Sequence, residues 1–401
     1  MLNSKDKTRL LTIFTVTYFF AAFAALSFAP LLPFIHEDLL LSNTKLGLFI
    51  SILYLGALIS GIPAGLISDK WGVPITISIG LMIQGIFFGL VAFTSSFYLM
   101  VVTLFIAGLG YGAVNPATSN GIIKWFTAKW RATAMAIKQV GFTAGNMAAA
   151  AVLPALAEIT GWRTTIIIIA VSVFACGVAN YFCYPAKIKK NHKTSWTPSQ
   201  SSSIKKKTVV WKDKQIIFWS VISIFFAAVQ LSGTVYMTVY LVDRFEYSKI
   251  MAGMFLSITQ GGGALGRIVW GRISDMYFSD KREREIIIVG FIAASTCIIF
   301  GILPVNTPMI FMGIVAVIFG FTAIGFNVLF LTLIGEIAGP EKAGQAIGFW
   351  VTIAYIGAVI SPPLFGMLVD CIGFPKAWVA LGSLLMATMV FTLVYTRKKP
   401  F

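Results

Sequence analysis

Long apolar stretches separated by short polar turns run through the whole chain. An α-helix needs about 20 mostly apolar residues to cross a bilayer, and each stretch is close to or above that length. The pattern therefore predicts an all-α membrane protein with twelve transmembrane helices. The predicted spans cover residues 10–35, 44–67, 75–95, 98–123, 132–158, 163–183, 215–241, 249–274, 286–304, 308–336, 343–369 and 376–396.

A polar stretch, residues 184–214, separates the sixth predicted span from the seventh. It contains nine lysines and a Ser-Gln-Ser-Ser-Ser run, and it has no apolar periodicity. We expect a flexible cytoplasmic linker between an N-terminal half, residues 1–183, and a C-terminal half, residues 215–401. Contact with anionic lipid is an alternative role for the lysines of this stretch.

One short polar turn occurs twice along the chain. The sequence GLISD at residues 65–69 recurs 206 positions later as GRISD at residues 271–275. Further pairs align at an offset of 212, namely Asn115 with Asn327, Lys124 with Glu336, and Glu158 with Asp370. An offset of about half the chain indicates a duplicated unit. We expect two six-helix halves, related as parallel repeats by an axis along the membrane normal.

Composition and charge agree with a lipid environment. The chain is 58% hydrophobic and 11% charged, whereas soluble domains carry about 25% charged residues. The net charge is +16, but most of the 31 Lys and Arg residues fall on one predicted side of the membrane. This positive-inside asymmetry predicts cytoplasmic termini and argues against a nucleic-acid partner. The five predicted on the outer side are Lys45, Arg163, Arg244, Lys249 and Lys376.

Cysteine and histidine residues indicate neither a metal site nor a disulfide framework. The four cysteines have no paired spacing and the chain has only two histidines, so we expect the cysteines to be packing residues. The Gly261-Gly262-Gly263 run lacks the strand context of a phosphate-binding loop, and helix packing explains it better. With no nucleotide-binding motif and no cofactor site, we expect neither an ATP-driven pump nor an enzyme.

Two cations are predicted deep within spans. Lys138 lies seven residues past Arg131, about 10 Å along its helix, and Arg267 lies about 12 Å before Asp275. Half of the hydrocarbon layer is about 15 Å thick, so both cations approach the midplane. A charge at that depth costs on the order of 3 kcal/mol or more and is seldom without function.

No carboxylate is predicted at the depth of Lys138 and Arg267, because all 15 Asp and Glu residues fall in loops or near span ends. An anionic substrate is therefore the natural counter-charge, and arginine binds a carboxylate through two parallel hydrogen bonds. Alternatively, both side chains extend towards the cytoplasm, Arg267 braces loop acids, or Lys138 binds backbone carbonyls. The polar residues predicted to line the substrate cavity are Tyr111, Asn115, Gln139, Gln260, Asn327 and Tyr355. Interhelical hydrogen bonds explain each of these equally well.

The stretch Gly65–Gly72 resembles the loop 2–3 signature of the major facilitator superfamily, and the whole chain fits that family's 6+6 plan. The resemblance implies alternating access, with the Asp69 carboxylate as a gating latch at a helix N-terminus. Gly65 is expected to allow close helix approach. The second copy of the signature implies gating roles for Gly271 and Asp275.

Two further patterns resemble anion carriers of this superfamily. The spacing from Gly108 to Arg163 is similar to that of anion–cation symporters, and Arg267-x3-Gly271-x3-Asp275 resembles span eight of monocarboxylate and oxalate carriers. In the superfamily fold, spans five and eight come from opposite halves and pack together. The resemblance therefore implies that Lys138 and Arg267 face one cavity.

The chain departs from the family patterns at four positions. Val73 and Pro74 replace the usual basic pair of the signature, which predicts a weaker latch. Leu104 stands where many proton-coupled members have arginine, and span five lacks the Gly-Pro dipeptide of drug–proton antiporters. Gly263 stands where monocarboxylate carriers often have an aspartate, so proton coupling at that point is not expected.

We predict a secondary transporter of the cell membrane that moves a small organic anion, in particular a carboxylate. Protons or a counter-anion would drive transport, and the candidate proton carriers are His36, Glu37, Asp38 and Glu336. The resemblance also implies that the carrier works as a monomer. One alternative is an efflux carrier for hydrophobic compounds or drugs, against which the two buried cations argue. Another is a receptor or scaffold, in which a duplicated gating turn has no purpose.

Overall fold

The computed structural model describes residues 4–184, 212–278, 281–339 and 342–398. Within these ranges the chain forms helices joined by short turns, with no β-strand. Most of the predicted linker, residues 185–211, lies outside the described residues.

The helices before the linker are longer than the predicted spans at most ends. They are α1 (Ser4–Ala25), α2 (Phe28–Leu39), α3 (Asn43–Lys70), α4 (Val73–Leu90), α5 (Phe97–Trp125), α6 (Ala128–Thr160) and α7 (Trp162–Cys183). After the linker come α8 (Lys214–Phe245), α9 (Lys249–Tyr277), α10 (Arg282–Ile302), α11 (Met309–Phe319), a π-helical turn (Gly320–Ile324), α12 (Asn327–Ala338) and α13 (Ala343–Lys398).

Ten stretches of the described residues are long and apolar enough to cross a membrane, by length and composition. One of them, Ala343–Arg397, contains the last two predicted spans and bends at Gly373, where φ is 79°. Helix α9 covers a further predicted span but is not among the ten, because its glycines, Gln260 and two arginines lower its hydropathy. The all-helical fold is confirmed, whereas the count of twelve spans and the cytoplasmic termini stay predictions.

The described residues fall into two compact units. Residues 4–35 and 52–184 form the first unit, and residues 36–51 and 212–398 form the second. The second unit therefore includes a short segment from the first half of the sequence.

Close contact between α1 and α6 organises the first unit. Gly141 lies against the backbone carbonyl of Thr15, and Gly145 lies against that of Phe19. A Cβ atom at either glycine would collide with main-chain atoms, so only glycine permits this approach. Lys138 precedes Gly141 by three residues, which places it on the same face of α6, towards α1.

Glycines also bring α9 of the second unit against the π-helical turn. Gly266 lies against the carbonyl of Phe321, and Gly320 lies against the carbonyl of Thr259. The Trp270 indole nitrogen donates a 2.9 Å hydrogen bond to the same Phe321 carbonyl. Arg267 directly follows Gly266, so this contact fixes the part of α9 that carries it.

The start of α3 belongs to the second unit because Asp370 of α13 caps it. The Asp370 carboxylate accepts hydrogen bonds from the backbone nitrogens of Asn43 and Thr44, both at 2.9 Å. It also accepts from both side chains, at 3.0 Å and 2.6 Å. The Tyr236 hydroxyl donates to the Asn43 carbonyl at 2.6 Å. A carboxylate at a helix N-terminus satisfies its free N–H groups and opposes its dipole.

Replacement of Asp370 by alanine is expected to lower the free energy of unfolding by about 1–2 kcal/mol, because the N-terminus of α3 loses its capping carboxylate. Thermal unfolding of the purified protein in detergent measures the effect. Glu158→Ala is the matched control, since Glu158 aligns with Asp370 in the repeat and is exposed. Equal losses for the two variants would show that the cap contributes nothing specific.

Candidate functional site

The first unit buries the amino group of Lys138 between helices. Lys138 is 3% exposed. Its Nζ atom donates 2.8 Å hydrogen bonds to the Asn115 amide oxygen and the Ser119 hydroxyl. The Nζ atom also lies 5.0 Å from the centre of the Tyr18 ring. Side-chain oxygens therefore bind Lys138, rather than the backbone carbonyls that the sequence left as an alternative.

Helical spacing explains this arrangement. Asn115 and Ser119 are four residues apart on α5 and share one face of that helix. Tyr18 comes from α1, which the glycines of α6 bring close. A cation over an aromatic ring gains most when it is desolvated, as here. Asn115 was predicted to line a cavity and is found bound to Lys138, whereas no pattern in the sequence singled out Ser119 or Tyr18.

The other two predicted residues of the first unit differ in exposure. Tyr111 is buried and packs edge-on against Tyr54, with ring centres 6.2 Å apart. Gln139, which follows Lys138 on α6, is exposed.

The second unit holds Arg267, Gln260, Asn327 and Tyr355. Arg267 and Tyr355 are half-buried, and Gln260 is 6% exposed. Gln260 lies two helical turns before Arg267 on α9, so the two share a face.

Asn327 lies at the start of α12, just after the π-helical turn. Its amide nitrogen donates to the Gln230 side-chain oxygen of α8 at 3.2 Å and to the Ile324 carbonyl at 3.1 Å. A π-helical turn is rare and often marks a functional site. The sequence did not predict this turn, which begins at Gly320 and is followed by Gly325.

The first of the two repeated turns, residues 65–69, is held by contacts within its own unit. One oxygen of Asp69 accepts from the Asn120 amide at 2.8 Å and from the Lys124 ammonium at 3.1 Å. The Asn120 amide also donates to the Ser68 hydroxyl. Lys124 thus supplies a cation at the turn that Val73 and Pro74 follow.

The second repeated turn, residues 271–275, binds a different cation. Both terminal nitrogens of Arg282 lie 3.2 Å from one oxygen of Asp275, and its Nε atom donates to Glu336 at 2.7 Å. Arg282 is at the start of α10, and Glu336 is the repeat counterpart of Lys124. Both copies of the turn keep the aspartate, whereas the cation comes from a different helix in each.

Gly65 does not make the close contact with another helix that was predicted for it. Within the described residues, no atom lies within 4 Å of the position that a Cβ atom would take there. Leu66 beside it is 68% exposed, so this face of α3 is open and the predicted close approach is wrong for Gly65. Gly271 has an ordinary contact, with Val328 at 3.6 Å.

Sequence and structure comparisons identify relatives across the whole chain. The Major Facilitator Superfamily profile matches residues 14–362. The hexuronate transporter of Bacillus subtilis is 23% identical over 387 residues, covering 93% of this chain and 90% of that protein. The cis,cis-muconate transport protein of Acinetobacter baylyi is 23% identical over 381 residues, covering 92% and 89%.

The fold is also similar to that of a solved structure, a bacterial homologue of the human lysosomal transporter Spinster in an inward-facing and occupied conformation. The TM-score is 0.81 at 16% sequence identity, over 99% of this chain and 98% of that chain.

Asn115→Leu is expected to lower the free energy of unfolding by about 1–3 kcal/mol, because it leaves the buried Lys138 ammonium with one hydrogen-bond partner fewer. Lys138→Met in the same protein should recover most of this loss, since the cation is then gone. Thermal unfolding of the two single variants and the double variant measures the coupling. A double variant that loses the sum of both single losses would show that the two side chains do not interact.

Proposed function

The chain belongs to the major facilitator superfamily, and on this premise we propose that it is a secondary transporter for a small organic anion, in particular a carboxylate. Transport across the cell membrane proceeds by alternating access, in which the substrate site opens to each side in turn.

The buried Lys138 ammonium is the observation that carries this proposal. Within the described residues it makes no ion pair, and its hydrogen-bond partners are the neutral side chains of Asn115 and Ser119. A cation in the interior of a membrane protein costs on the order of 3 kcal/mol or more. A bound carboxylate offsets that cost, so the charge attracts an anion and disfavours a cation.

Arg267 is the second cation of the proposed site. Its planar guanidinium holds a carboxylate through two parallel hydrogen bonds, whereas a lysine acts as a point charge. In the proposed site Arg267 therefore fixes the orientation of the substrate carboxylate, and Lys138 contributes attraction. Tyr111, Asn115, Gln139, Gln260, Asn327 and Tyr355 complete the proposed substrate-binding set.

The relatives support the same substrate class. Hexuronate and cis,cis-muconate, the compounds in the names of the two relatives, are both organic anions. We take from them the class of substrate and no particular compound.

In this proposal the two repeated turns, residues 65–69 and 271–275, control the opening and closing of the transporter. Asp69 and Asp275 bind Lys124 and Arg282 within their own units. We propose that each aspartate exchanges its cation for another partner during the transport cycle.

Arg267→Ala is expected to abolish saturable uptake of labelled mono- and dicarboxylates into proteoliposomes. Arg267→Lys keeps the charge but loses the paired hydrogen bonds, so we expect its KM to rise about tenfold or more. Arg272→Ala is the matched control, because Arg272 lies on the same helix and is exposed.

The same uptake experiment also tests the alternatives. Uptake of a lipophilic cation without uptake of any carboxylate would refute the anion proposal and support an efflux carrier for hydrophobic compounds. Collapse of carboxylate uptake on adding an uncoupler would indicate proton coupling, whereas insensitivity to the uncoupler would indicate exchange for a counter-anion.

A further inference from the structure

A fully buried carboxyl group that the proposed substrate site does not use lies at the start of α10. Glu285 is in the first turn of that helix and is 0% exposed. Within the described residues, neither of its carboxyl oxygens has a hydrogen bond of acceptable geometry. Burial removes the water that would hydrate an ionised carboxylate there, and no hydrogen bond of that geometry replaces it, so the neutral acid is favoured.

The nearby Arg282 does not neutralise Glu285, because its charge is already shared. Its Nε atom binds Glu336 at 2.7 Å, and its terminal nitrogens bind Asp275 at 3.2 Å. One terminal nitrogen also donates to the Ser274 hydroxyl at 2.7 Å. One positive charge thus faces two carboxylates, and a third carboxylate would add repulsion. We call Asp275, Arg282 and Glu336 the charged cluster.

The charged and polar neighbours of Glu285 come from several helices. On its own helix the neighbour is Arg282, and on α9 the neighbours are Ser274 and Asp275. Glu336 of α12 binds Arg282, which in turn lies near Glu285. The packing of α13 on α10 places Met389 beside Gly290. Beyond that contact, towards the start of α10, the ionisable side chains described on α13 are Tyr395, which is half-buried, and Arg397, which is exposed. Neither α11 nor the π-helical turn carries an ionisable residue.

We propose that Glu285 is a proton-binding site, which holds a proton while the charged cluster is closed and releases it to solvent when the cluster opens. The released proton leaves a carboxylate three residues from Arg282 on the same helix, and this carboxylate competes with Asp275 and Glu336 for the guanidinium. Acid therefore stabilises the closed cluster, and a rise in pH favours the open one. For the transporter proposed above, on which this step rests, the coupling ion is then the proton.

Infrared spectroscopy tests the protonation without any transport assay. At neutral pH the wild-type protein is expected to show the carbonyl band of a protonated carboxylic acid that lacks a hydrogen bond. Glu285→Gln should lose this band, and Glu283→Gln, in the same helical turn, should keep it. If Glu285→Gln does not fold, Glu285→Asp replaces it and should shift the frequency of the band. A wild-type spectrum without the band, or a band that no Glu285 variant changes, would overturn the proposal.

The pH dependence of carboxylate exchange in proteoliposomes tests the coupling. Linkage to one proton changes the closed-to-open ratio by up to about tenfold per pH unit. We expect the wild type and Glu283→Gln to show such a dependence, and Glu285→Gln to be nearly independent of pH. An unchanged pH profile in Glu285→Gln would refute the coupling while leaving the anion transporter intact. If the wild type shows the infrared band but transports no carboxylate, the proposed function alone would be refuted.

Discussion

Packing in this protein depends on close backbone contact, because lipid removes the usual gain from burying apolar side chains against each other. Gly141 and Gly145 bring α6 onto α1, and Gly266 and Gly320 bring α9 onto the π-helical turn. In each unit the cation proposed to bind substrate lies within three residues of such a glycine. The same contacts that hold the helices together therefore set the positions of Lys138 and Arg267.

In both halves the aspartate of the repeated turn is paired with a cation, but the cation comes from a different helix in each half. Each repeated turn ends in an aspartate near the end of a long helix. In the first half the balancing cation is Lys124 of α5, whereas in the second it is Arg282 of α10, and the counterpart of Lys124 is the acid Glu336. With an acid in place of a lysine at that position, three carboxyl groups surround one arginine, counting Glu285. The second turn therefore has two carboxyl groups in excess of its cation, whereas the first turn has one acid for one cation.

The sequence predicted features with a strong one-dimensional signal. Apolar length predicted the helices, and the described residues contain no ion pair at Lys138, as expected. The duplication inferred from the repeated turn stays a prediction. The partners of Lys138 were predicted only in part, because Ser119 and Tyr18 are ordinary helix residues whose importance depends on tertiary contact. Glu285 was missed for the opposite reason, since an acid near a predicted span end is expected to be solvated. The expectation for Gly65 was wrong because glycine permits close approach without requiring it.

The cap on α3 has a consequence for how the two halves of the chain can be exchanged between relatives. The fold groups residues 36–51 with the second half, through Asp370 and Tyr236, although they are encoded in the first. A chimera joined at the linker would separate Asn43 and Thr44 from the carboxylate that caps them. Successful recombination would have to transfer the start of α3 together with α13, so the two halves cannot be exchanged independently at the linker alone.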